Sequence, residues 1–128
     1  LMEKEFYESE LTYMIIGCCY SVYNTLGPGL LESVYEQALI YELNKKGLDV
    51  KSQSEVPIAY DGVTLKTPMR LDLLVNDKVI VELKSVEGLK GLHHKQLQTY
   101  LRLSGKKVGL LVNFNTENLK DDIHRIVM

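Results

Sequence analysis

Arg70-Leu71-Asp72-Leu73-Leu74-Val75-Asn76-Asp77-Lys78-Val79-Ile80-Val81-Glu82-Leu83-Lys84 reads as two strands joined by a tight turn. Apolar residues fill both runs, and the polar triplet Asn76-Asp77-Lys78 separates them. A three-residue loop sets Val75 against Val79, Leu73 against Val81 and Leu71 against Leu83, so every pair on one face is apolar. On the other face Leu74 meets Ile80 and Asp72 meets Glu82. Lys84 lies two residues beyond Glu82 and shares its face. A two-residue loop would instead oppose Leu71 to Glu82 and Asp72 to Val81, which sends side chains to the wrong faces. Patterning selects the first register.

That register brings two carboxylates directly across adjacent strands, about 5 Å apart at Cβ. Opposed like charges destabilise a sheet, and the neighbouring Leu74 and Ile80 imply a covered surface rather than a wet one. A hard divalent cation converts the same pair into a ligand set. The competing reading, a solvent-facing sheet with incidental charges, fits the apolar neighbours poorly.

Upstream of the hairpin, Ser9 is placed to cap a first helix. Leu11, Ile15, Cys18 and Val22 follow at helical spacing, and Ile16, Cys19 and Tyr23 widen the stripe. Gly27-Pro28-Gly29 stops that helix. A second helix is expected from Leu31 to Lys46, ended by Gly47. Asp49 to Ile58 reads as extended, Asp61-Gly62 as a hairpin turn, and Val63 to Thr67 as the returning strand. Pro57 marks an edge strand or a strand end.

Downstream, a third helix is expected from Leu92 to Leu103, stopped by Gly105. The continuous apolar run Val108–Val112 is typical of a buried strand. Leu119–Ile123 suggests one helical turn, and Ile123, Arg125 and Val127 alternate as on a last strand. The order α-α-β-β-β-β-α-β, with a further strand at the end, describes an α/β fold whose central, mostly antiparallel or mixed sheet is flanked by helices. At 128 residues the chain is expected to form a single domain, 1–128, able to bury a core without disulfide or zinc staples.

Composition excludes little by itself. Hydrophobic residues make up 45% and charged residues 25%, and the formal charge of −2 does not advertise a polyanion binder. The distribution is uneven. Residues 1–49 hold eight acids against three bases, whereas residues 84–107 hold six bases against Glu87 alone. Lys95 and Arg102 in that basic stretch are candidate phosphate contacts, although charge alone favours a solvated helix face. The adjacent Cys18 and Cys19 rarely bridge and fit a reducing compartment, so a cytoplasmic protein is expected. No stretch is long and apolar enough to span a membrane, and Leu1 to Glu10 does not resemble a secretory signal.

Three motifs resemble one known family. Arg70-Leu71-Asp72 followed nine residues later by Glu82-Leu83-Lys84 resembles the core signature of the PD-(D/E)xK nuclease superfamily, with Leu71 standing where the motif name has proline. Gln96-Leu97-Gln98-Thr99-Tyr100 resembles the QxxxY element of its RecB-like branch. Gly29-Leu30-Leu31-Glu32-Ser33-Val34-Tyr35 resembles the motif of the GxxExxY proteins. The likeness runs from about Leu11 to Asn113 and implies the restriction-endonuclease-like core of that superfamily.

The resemblance further implies that Asp72, Glu82 and Lys84 are catalytic. It implies that Asp72 and Glu82 hold magnesium, or alternatively manganese, with the carbonyl of Leu83, and that Glu32 completes the shell directly or through water. Gln96 and Tyr100 are implied to shape the site, and Tyr35 is singled out by its motif as a substrate-side residue. Lys84 is implied to orient or activate the attacking water. The function expected is metal-dependent hydrolysis of phosphodiester bonds, in DNA before RNA. A non-catalytic nucleic-acid-binding or protein-interaction module on the same fold is the alternative, and a homodimer with a tyrosine-rich helical interface is compatible with either.

Other constellations carry less. His93-His94 point about 100° apart on a helix and have no third ligand nearby in sequence, so helix-surface or phosphate-contact roles are favoured. Gly27-Pro28-Gly29 lacks the preceding strand and following Gly-Lys-Ser/Thr of a phosphate-cradling loop. A glycosidase pair at Asp72 and Glu82 fits poorly with Lys84 beside them, with the absence of Trp and with the small size of the chain.

Overall fold

The computed structural model describes residues 3–4 and 7–128, so the Leu1–Glu10 reading lies partly outside the described residues. Two helices come first, α1 (Ser9–Leu26) and α2 (Glu32–Lys45). Five strands follow, β1 (Val50–Val56), β2 (Ala59–Tyr60), β3 (Val63–Thr64), β4 (Met69–Val75) and β5 (Val79–Lys84). Then come α3 (Gly91–Ser104), β6 (Val108–Asn113), a 3-10 turn (Leu119–Asp122) and β7 (Ile123–Val127). The five long strands form one sheet in the order β1-β4-β5-β6-β7. All neighbours are antiparallel except β5 and β6, which run parallel and are joined by α3 as a crossover.

The helix periodicities hold. Leu11, Ile15, Cys18, Cys19 and Val22 are buried, together with Tyr35, Leu39 and Leu43 of α2. These pack on the sheet face that carries Leu73, Val75, Val79, Val81, Leu83, Val108, Leu110 and Val112. The opposite face, with Leu74, Ile80 and Leu111, is covered by Leu97 and Leu101 of α3. β6 is buried along its whole length, as its unbroken apolar run requires. A Cβ at Gly109 would sit 2.9 Å from Leu97 Cδ1, so a larger residue there would push the buried Leu97 side chain aside.

Three expectations are corrected. Ser9 is the first residue of α1 and not its cap. Glu8 precedes it with φ 50° and makes no side-chain cap bond, while Thr12 Oγ1 donates to the Glu8 carbonyl. Asp61 and Gly62 do form a hairpin turn, but β2 and β3 make a separate two-stranded ribbon, and β1 pairs with β4. The third correction concerns Leu71, which belongs to the α3 side with Met69 and Leu74, whereas Leu83 belongs to the α1/α2 side. Strict alternation therefore fails between Leu71 and Leu73, and the break falls at Asp72.

The hairpin register itself is the one read from the pattern: Val75 pairs with Val79, Leu74 with Ile80 and Leu73 with Val81. Asn76 and Asp77 both take left-handed backbone in the turn, and the Lys78 N–H donates to the Val75 carbonyl at 3.0 Å. Beyond Leu73 and Val81 the ladder stops. The β1–β4 ladder also skips one rung, between Gln53 and Asp72, where Gln53 adopts φ 51°. Left-handed backbone in a residue other than glycine costs on the order of 1–2 kcal/mol. Asp72 thus sits where regular pairing is interrupted on both sides.

Candidate active site

In place of the missing β4–β5 rung, side chains take the backbone donors. The Leu83 N–H donates to Asp72 Oδ2 at 2.9 Å, and the Asp72 N–H donates to Glu82 Oε2 at 3.1 Å. The two carboxylates therefore wedge the strands apart while satisfying the amides they displace. Glu82 is only 3% exposed. Burial, a hydrogen bond to the Asp72 side chain and the Asp72 charge push its carboxyl up to about 9, against the weaker pull of the Asp72 N–H and Lys84. A carboxyl raised that far keeps its proton at neutral pH, which relieves the like-charge repulsion that the sequence pattern implies.

Glu32 enters from the first turn of α2. It shares a pocket of about 320 Å³ with Ser33, Glu36, Gln53, Asp72 and Leu83. Its carboxyl is raised by burial first and then by Asp72, with Lys84 and the Ser85 backbone acting the other way. Among the described residues no three His, Cys, Asp or Glu side chains stand together as a ready metal cage. Asp72 and Glu82 adjoin, Asp72 and Glu32 share the pocket, and the three carboxylates do not meet at one point.

The donor set nonetheless fits a hard divalent ion. It consists of carboxylate oxygens, with a protonated buried carboxyl that a cation can discharge. Magnesium needs few protein ligands because it keeps waters and binds substrate phosphate.

Glu82 and Lys84 lie on the face covered by α3. Lys84 Nζ donates to Gln96 Oε1 at 3.2 Å, and Gln96 Nε2 donates to the Tyr100 hydroxyl at 3.2 Å. Gln96 thereby holds the Lys84 ammonium, and Tyr100, one turn along α3, holds Gln96. Burial, then Glu82 and Asp72, raise the Tyr100 hydroxyl, which keeps it protonated beside the acids.

Tyr35, expected on the substrate side, is a core residue and does not line the pocket. It is fully buried, stacks on Phe114 at 4.6 Å and 8°, donates to the Gly27 carbonyl at 2.6 Å and accepts from the Leu30 N–H at 3.1 Å. Its motif position is explained by anchoring the Gly27–Leu30 turn that leads into Glu32. Lys95 and Arg102 are exposed on α3, about 100° and 120° around the helix from Gln96, and neither reaches the carboxylates. His93 caps α3, its Nδ1 accepting from the Lys90 N–H, and burial and Lys84 lower its pKa. His94 packs edge-on against His124.

Sequence reading missed several residues that build the site. Ser85 Oγ donates to the Leu30 carbonyl at 2.6 Å and ties the α1–α2 turn to the end of β5. Asn113, fully buried, accepts from the Val86 N–H and donates to the Val86 carbonyl, fixing the chain just after Lys84. Glu36 and Gln53 line the pocket but belong to no recognised motif. The one available signal was the i, i+4 spacing of Glu32 and Glu36 on a helix whose first turn is acidic.

No curated protein matches this chain. Among solved structures, the crystal structure of SSO0001 is similar, with a TM-score of 0.57 and 26% identity over 97% of this chain and 60% of that one. This chain thus spans 60% of the length of SSO0001. A family model described as the PD-(D/E)XK nuclease superfamily, whose members generally use divalent metals, matches residues 9–126. With that match and the mixed sheet flanked by three helices, the chain belongs to the PD-(D/E)XK nuclease superfamily.

Proposed function

We propose that this protein is a magnesium-dependent phosphodiesterase acting on nucleic acid, DNA before RNA, with Asp72, Glu82 and Lys84 as its chemical centre. The observation that carries this reading is the interrupted rung, where Asp72 and Glu82 replace backbone pairing and Lys84 is held beside them by Gln96. A buried carboxyl with a pKa near 9 is a costly feature for a purely structural sheet and a useful one for a cation site.

Asp72, Glu82 and the Leu83 carbonyl would hold the ion, with Glu32 reaching it from α2 directly or through water. An ion bound there would supply an acidified water and offset charge at phosphorus. Lys84 then orients the attacking water and balances charge on the phosphate, and Gln96 and Tyr100 keep its ammonium from collapsing onto the carboxylates. Lys95 and Arg102 contact phosphates further along the strand, outside the reacting centre. The GxxExxY and RecB-like features, Gly29–Tyr35 and Gln96–Tyr100, support a place in that part of the superfamily. The buried thiols Cys18 and Cys19 suit a cytoplasmic setting, and no described helix is long and apolar enough to cross a membrane.

The direct test is cleavage of mixed DNA and RNA in magnesium and manganese, with Glu82→Ala as control. Metal-dependent cleavage lost in the variant supports the reading. Binding without cleavage under all these conditions replaces it with a non-catalytic nucleic-acid-binding module.

A further inference from the structure

β1 is regular except at Gln53. Of the five non-glycine residues with positive φ among those described, Asp61, Asn76 and Asp77 serve hairpin turns and Glu8 precedes α1. Gln53 alone sits inside a strand. Its conformation has a visible consequence. Neighbouring residues of a regular strand point to opposite faces, yet Ser52 Oγ and Gln53 Nε2 both donate to Glu36 Oε1, at 3.1 and 2.9 Å.

A carboxylate only accepts, so this bond fixes which end of the amide faces Glu36. The second Nε2 proton and Oε1 have no protein partner among the described residues. Gln53 is also exposed, and it lines the pocket of Glu32, Asp72 and Leu83.

We propose that Gln53 is a substrate-positioning residue whose second amide proton holds an oxygen of the nucleic-acid backbone on the α2 side of Asp72. The inference rests on the phosphodiesterase reading above. The charged side chains on that wall are Glu32, Glu36 and Asp72, which repel a phosphodiester. A neutral amide can give one proton to Glu36 and still offer the other to a phosphate oxygen, whereas a lysine there would form an ion pair with those acids. The left-handed backbone aims the donor, and the bond to Glu36 keeps it aimed.

Gln53→Gly and Gln53→Asn, assayed by steady-state cleavage of a labelled oligonucleotide and by thermal melting, test this. Glycine accepts φ 51° freely but lacks the amide. The expected result is a melting temperature at or above that of the wild type, with KM raised roughly 10- to 100-fold, the worth of one hydrogen bond to a charged oxygen, and kcat nearly unchanged. Asparagine tolerates the left-handed region and keeps an amide, so it recovers part of the KM loss.

A lower melting temperature with KM and kcat moving together assigns Gln53 a merely structural role and overturns the proposal. An unchanged KM in Gln53→Gly, beside an active wild type, overturns it alone. A wild type that neither cleaves nor binds single-stranded DNA, duplex DNA or RNA by fluorescence anisotropy overturns it together with the phosphodiesterase reading.

Discussion

Replacing Glu82 with glutamine should stabilise the metal-free protein, and increasingly so as pH rises. The folded carboxyl is pushed up to about 9 from its ordinary 4.5, chiefly by burial and by its contact with Asp72. Between those values the folded chain holds a proton that the unfolded chain has released, so wild-type stability falls as pH rises through the window, by about 1.4 kcal/mol per unit. From pH 4.5 to 7 the loss accumulates to about 3 kcal/mol at most, since water entering the gap softens it. Glutamine has no such proton to lose. Its Oε1 can still accept from the Asp72 N–H, and its amide can donate to the Asp72 carboxylate.

In chelator, the melting temperatures of the two proteins should coincide near pH 4.5 and diverge toward pH 8, by roughly 10 °C at pH 7 if the full linkage is expressed. Millimolar magnesium should then raise the wild type by mass action and leave Glu82→Gln and Asp72→Asn nearly unmoved. Parallel melting curves for wild type and Glu82→Gln from pH 5 to 8.5 would refute the protonated, buried carboxyl and the cation logic built on it.

Lys84→Ala should lower cleavage by about 100-fold or more while oligonucleotide affinity, read by anisotropy, stays close to wild type. Neutralising Lys95 and Arg102 together should weaken binding of all sequences and flatten its salt dependence by roughly one unit of slope per lost phosphate contact. An unchanged slope returns α3's outer face to simple solvation. Tyr35→Phe should cost about 1–3 kcal/mol, because Leu30 N–H and Gly27 C=O lose their shared partner, measured as a lowered denaturant midpoint. Gly109→Ala should cost a similar 1–3 kcal/mol by driving a Cβ into Leu97, visible in the same titration.

Local pattern carried much of this protein. Period-two alternation and the polar triplet at Asn76–Lys78 were enough to set the β4–β5 register, because a one-residue slip would exchange core and surface along the whole hairpin. Helical spacing likewise marked the buried stripes of α1 and α2, and the unbroken run Val108–Val112 marked the central strand. The candidate site residues Asp72, Glu82 and Lys84 were legible in the hairpin pattern, whereas Gln96 and Tyr100 were legible only through the resemblance of their motif.

What only the tertiary structure decided are the places where distant segments meet. The kink at Asp72, which moves Leu71 to the α3 side, depends on side chains replacing a rung between β4 and β5. Gln53's left-handed backbone coincides with the bond its amide gives to Glu36 on the preceding helix, a partner that strand pattern does not reveal. Tyr35 looked like a site residue in its motif, and its burial follows from Phe114, far along the chain. Lys95 and Arg102 are visible in the sequence only as bases, and α3, by turning Leu97 and Leu101 inward, sets both on its exposed face, away from the carboxylates. Periodicity specifies which side of an element is apolar. Long-range pairing decides where the pattern must break, and here it breaks where the acids gather.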